Sequence, residues 1–230
     1  MKHISFIIMT ICTLAVLAAC KGQKTAADNA PAIDSARICQ VRFSGDSAFR
    51  FVEEQCSFGP RVPNSQAAAR CADYIERKFT GYGMKVTNQR TAWYGKDLQC
   101  RNIIASYKPE QSERVILCAH YDSRPWADND PDETKRQQPV MAANDGASGV
   151  AVMLEVARLI REVDPKVGVD FICFDLEDYG APDWAPAEAQ QVGDTWCLGS
   201  QYWSANPHVE GYSARYGILL DMVGGRGARF

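Results

Sequence analysis

Val115-Ile116-Leu117-Cys118-Ala119-His120-Tyr121-Asp122 and Val169-Asp170-Phe171-Ile172-Cys173-Phe174-Asp175-Leu176-Glu177-Asp178 frame the fold. Each is a short, largely apolar run that ends in acids, the pattern of a strand covered on both faces. Between them Val150, Met153, Leu154, Ala157 and Ile160 recur at helical spacing over residues 146–162. Strand, helix, strand in this order is the crossover of a parallel pair. Runs at 102–107 and 216–220 add strands. Ala68, Cys71, Ala72, Ile75 and Phe79 mark an amphipathic helix between a Ser65 cap and Gly81. Together they predict an α/β domain of three layers, αβα, around a mixed, mostly parallel sheet.

The composition suits one globular domain: 230 residues, 46% hydrophobic and 23% charged, enough to bury a core. With 25 Lys+Arg against 28 Asp+Glu the net charge is -3, and no basic stripe is present. Nucleic acid is therefore not an expected partner.

The first residues read as an export signal: Lys2 and His3, an apolar run over 4–19, then Cys20. That run is shorter than the ~20 residues of a membrane span. Leu17-Ala18-Ala19-Cys20 resembles a bacterial lipobox, which implies cleavage after a signal peptide at 1–19 and a lipid on Cys20. The polar, Ala-rich stretch 20–37 then serves as a tether, and 38–230 is a single domain. A lipid anchor in the cell envelope follows. Gly22, where an Asp retains some lipoproteins at the inner membrane, points to the outer membrane, facing periplasm or surface. Seven cysteines follow Cys20, so at least one thiol stays outside any disulfide.

Three of the apolar runs lead into acids: Asp122, Asp175 with Glu177 and Asp178, and Asp221. Carboxyl ends of strands are where α/β sheets build their sites. Asp145 stands in Ala143-Asn144-Asp145-Gly146-Ala147-Ser148-Gly149, and by position alone it reads as a helix N-cap. Glu177 and Asp178 are neighbours that repel unless a cation or a shared proton relieves them. Carboxylates and an imidazole without thiolate suit a catalytic zinc, with one acid left as general base. Two long irregular segments, 122–144 and 179–193, follow strand ends and are candidates for the walls of a site.

Phe58-Gly59-Pro60-Arg61-Val62-Pro63, His120-Tyr121-Asp122-Ser123, Asn144 to Gly149, Asp175 to Asp178 and Leu220-Asp221-Met222 occur in the order and spacing of a known superfamily. The chain resembles the zinc-dependent M28 aminopeptidases, and within them the bacterial, lipoprotein-type glutaminyl cyclases. The resemblance implies that Asp145 and Asp178 hold one zinc, that Glu177 is the general acid/base, and that Asp221 supports its proton transfer. Asp178 stands where the family more often has Glu. A last His ligand lies beyond the Asp221 motif in the family, past Phe230, which implies that the C-terminal part of the domain is missing here; His208 matches a position that is not a ligand.

The implied reaction closes an N-terminal Gln of a peptide or protein into pyroglutamate with release of ammonia. Trp184 and Trp126, in the two long segments, are candidates for the substrate pocket, whereas Trp196 reads as packing. Two alternatives remain. In a di-zinc aminopeptidase His120 and Asp221 would hold a second metal, with Asp145 bridging. In a peptide-binding lipoprotein the fold would persist without turnover.

Overall fold

Helices α1 (Gly45–Cys56), α2 (Gln66–Gly81) and α3 (Ala147–Val163) lie on one face of a sheet built from β1 (Lys85–Trp93), β2 (Leu98–Tyr107), β3 (Arg114–His120), β4 (Gly168–Phe174) and β5 (Gly217–Leu219). A shorter helix, α4 (Leu198–Ala205), packs on the other face. The structure, a computed structural model, describes residues 40–93, 98–188 and 195–227. The signal peptide at 1–19, Cys20 and the tether at 20–37 lie outside the described residues. Among those described, no helix is long and apolar enough to cross a membrane.

The strand order is β1-β2-β4-β3-β5. β4 pairs with β3, and β3 with β5, in parallel, while β2 runs antiparallel to both β1 and β4. Only β2 is reversed, so the sheet is mixed and four strands share one direction. The β3-α3-β4 crossover is the parallel unit that the sequence pattern implies.

Alternation along the strands separates the two faces. Ile103, Ala105, Phe171 and Cys173 point toward the helices and pack with Ile75, Phe79, Met153 and Leu154. Ile104, Ile172 and Phe174 point the other way, against Trp203 of α4. Burying each large apolar side chain contributes roughly 1.5–3 kcal/mol. This two-sided burial is why β4 reads as an almost unbroken apolar run. Asp170 interrupts it, and that acid is paired with Arg114 at 2.6 Å.

Two elements carry no such signature. β1 is a polar edge strand held by nine paired residues along β2. α1 is capped by Ser44, whose side chain accepts from Ser47 N at 3.2 Å, and it buries only Ala48, Phe51 and Gln55. β5 differs from expectation in its surroundings: Ile218 and Leu219 are 46% and 65% exposed, because β5 is an edge strand of the sheet. α2 has the anticipated bounds, with Ser65 accepting from Ala68 N at 3.0 Å.

The start of α3 corrects one expectation. Its N-cap is Gly146, with φ 108° and no side-chain cap bond, rather than Asp145. A Cβ at Gly146 would lie 2.5 Å from His120 O, and one at Gly149 would lie 2.0 Å from Leu220 O. The helix thus meets the ends of β3 and β5 at backbone distance, and the Asp145 side chain is released toward those strand ends.

Candidate active site

β3 ends in His120, whose ring is buried among three carboxylates. Nδ1 lies 3.3 Å from Asp122 Oδ1, and Nε2 lies 2.8 Å from Asp145 Oδ1 and 3.7 Å from Asp221 Oδ1. Burial favours the neutral ring, but the hydrogen bonds to Asp122, Asp145 and Asp221 overcome it and hold the imidazole well above its ordinary pKa. The bond to His120 in turn holds the Asp221 carboxyl below the usual carboxylate range.

Asp122 is the keystone of the loop that follows β4. It is fully buried, and its Oδ1 and Oδ2 accept the backbone N–H of Glu177 and of Asp178, each at 3.1 Å. Asp175 accepts from the N–H of Arg101 and of Leu176, both at 2.9 Å. Leu176 sits in the left-handed region at φ 55°, which turns the chain so that Glu177 and Asp178 leave the strand toward the site.

Burial raises the Glu177 carboxyl, with Asp122 and Asp145 adding to it and His120 and the Cys197 thiol opposing it. Asp178 is pushed up to about 7 by burial and then by Asp145, Asp122 and Glu177, against the opposing charge of Arg124. Two carboxyls in one site thus resist ionising together, which is the state a cation relieves.

Arg124 ties the walls together. Its guanidinium lies 4.7 Å from the Trp196 ring and 5.7 Å from that of Trp126, pairs with Asp128, and reaches Asp178 Oδ1 at 3.5 Å. Arg124, Trp126, Asp128, Asp145 and Asp178 line one cavity of about 270 Å3. Trp126 is therefore at the site. Trp184 is 45% exposed and lies outside the lining of that cavity. Trp196 packs against Gly180, where a Cβ would meet its ring at 1.8 Å.

Arg61, from the Phe58–Pro63 motif, is fully buried and donates to backbone carbonyls of Tyr121 and Ala142 at 3.3 and 2.7 Å, and to that of Met141. It joins the end of β3 to the segment that delivers Asp145. Sequence reasoning assigned no role to Arg61, Asp122, Arg124 or Cys197. Asp122 carried a usable signal: it stands two residues past His120 at a strand end, and so can share its face.

The donor set fits a divalent cation of the zinc class: carboxylates and one imidazole, with no thiolate among the clustered ligands. His120, Asp145 and Asp221 each offer one ligand atom within 4.8 Å of the others; Asp178 lines the same cavity as Asp145 but is not part of that group. None of the six cysteines among the described residues is in a disulfide.

Residues 102–230 match Peptidase family M28. A solved glutaminyl cyclase of Bacteroides thetaiotaomicron bound to N-acetylhistamine is 52% identical, with a TM-score of 0.78, covering 81% of this chain and 64% of that one. A zinc-dependent exopeptidase of Parabacteroides distasonis is 49% identical, with a TM-score of 0.79, covering 83% of this chain and 65% of that one. The uncharacterized protein YfbL of Escherichia coli is 37% identical over 109 residues, 47% of this chain and 32% of its own. The chain thus spans less than two thirds of each of these relatives. With the motif residues gathered at the strand ends, this match over more than half of the sequence makes the chain a member of peptidase family M28.

Proposed function

We propose that the whole protein is a zinc-dependent glutaminyl-peptide cyclotransferase acting on peptide or protein N-termini. Asp145 and Asp178 would hold one zinc, which when bound polarises the γ-amide carbonyl of an N-terminal Gln. Glu177 takes a proton from the substrate's α-amine as the nitrogen attacks that carbonyl, and returns it to the amide nitrogen, which leaves as ammonia. The C–N bond of the lactam forms, the amide C–N bond breaks, and no water enters. Asp221, through its contact with His120, supports that transfer, and Trp126 walls the cavity. Trp184 is proposed to shape the substrate pocket.

The observation that carries this reading is that Asp145 and Asp178 line one cavity with Trp126, beside a Glu177 carboxyl that burial raises. The 52% identity to a glutaminyl cyclase supports the same reading.

Hydrolysis by a di-zinc aminopeptidase is the second reading, favoured by the approach of His120, Asp145 and Asp221 to within 4.8 Å and by the likeness to an exopeptidase. Mass spectrometry of a Gln-leading peptide incubated with the whole protein and zinc separates the two. Loss of one ammonia supports cyclisation, and release of free glutamine overturns it.

We also propose export and lipid anchoring through Cys20 in the cell envelope. Incorporation of labelled palmitate in the parent and its loss in Cys20→Ser is the expected result.

A further inference from the structure

We propose that Cys197 is a positioning residue, its thiol being the hydrogen-bond donor that holds the Glu177 carboxylate in its working orientation. The proposal rests on the reading of Glu177 as the acid/base. Cys197 Sγ lies 3.3 Å from Glu177 Oε1, within reach of an S–H donor.

The backbone delivers that thiol by a rigid clamp. The N–H groups of Cys197, Leu198 and Gly199 donate to the carbonyls of Glu177, Leu176 and Asp175 at 2.8, 2.9 and 3.1 Å. Asn102 closes the clamp from β2: its Oδ1 accepts from Asp175 N at 3.1 Å and its Nδ2 donates to Gly199 O at 2.8 Å. A Cβ at Gly199 would lie 2.1 Å from Asp175 O, so no larger residue fits between the start of α4 and the loop.

Cys197 and Leu176 both sit at φ 55°, in the left-handed region that side chains other than glycine rarely adopt. The fold therefore sustains two strained residues facing one another across this clamp, and the strain aims Sγ at the carboxylate. A thiol supplies a donor without a charge. It orients Glu177 among Asp122, Asp145 and Asp178 without placing a second cation beside the residues that would hold zinc.

The test compares kcat and KM of the whole, zinc-loaded protein on a Gln-leading peptide, whichever product is released, in Cys197→Ala, Cys197→Ser and Glu177→Gln. Alanine should lower kcat about tenfold or more while KM stays within about twofold, because a misplaced acid/base slows the chemical step rather than binding. Serine, which restores a donor, should recover most of the loss. Zinc content and melting temperature, measured alongside, distinguish this from misfolding, which would lower both and leave serine no better than alanine. Parent-like kcat in Cys197→Ala, with Glu177→Gln inactive, overturns the positioning role alone. Serine as impaired as alanine also overturns it, since the donor would then not matter. Turnover that persists in Glu177→Gln overturns the acid/base reading itself, and this proposal with it.

Discussion

His120 Nε2 lies 2.8 Å from Asp145 Oδ1, which ties the end of β3 to the segment entering α3. The bond engages one carboxylate oxygen of Asp145 and leaves the other for a ligand. Zinc added to the metal-free protein should therefore raise its stability by roughly 2.7 kcal/mol at a hundredfold excess over Kd. Asp145→Ala should abolish that shift, read by calorimetry. His120→Ala should keep one bound zinc, counted by metal analysis; a fall from two to one would move the assignment to the di-zinc enzyme.

Asp122 carries the loop bearing Glu177 and Asp178 on its two oxygens. Asp122→Ala orphans two backbone N–H groups, each worth about 1–3 kcal/mol where buried. Urea denaturation should show a loss in that range or above, and turnover should fall with it. Asp122→Asn keeps one acceptor and should be milder on both counts.

Asp175 is pushed up to about 7, chiefly by burial and then by Asp122, from an ordinary value near 3.8. A folded pKa above the unfolded one means that the native state holds the proton longer. Its contribution to stability is fully present below about 3.8 and is lost as pH rises through about 7. Without metal, Asp178 acts in the same direction. Unfolding free energy of the metal-free protein should therefore decline over that window, and Asp175→Asn should flatten the slope. An unchanged slope in this variant would contradict the assignment.

Gly180 lies against the Trp196 indole, and a Cβ there would stand 1.8 Å from the ring. Gly180→Ala should push Trp196 off Arg124 at a cost of about 1–3 kcal/mol, the usual range for overpacking. A shift in tryptophan emission together with a lower melting temperature checks it.

Apolar periodicity shows where strands and helices lie when burial is two-sided, so β3, α3 and β4 were legible with nearly their true bounds. β1 was not legible, because a polar edge strand owes its existence to nine pairings with β2 rather than to its own side chains. The motif acids were likewise legible as a set at strand ends. Their division of labour was not, since Asp145 by position alone looks like a cap and only the packing of Gly146 against His120 O frees it.

The sequence by itself determined the αβα crossover, the gathering of one His and several acids at the carboxyl ends of strands, and the family resemblance, because these depend on spacing along the chain. Tertiary structure alone decided that Asp122 holds the Glu177–Asp178 loop, that Arg124 binds the walls at Asp178, and that Cys197 meets Glu177. The partners in those contacts lie 55, 54 and 20 residues apart, and only the folded backbone sets such distances.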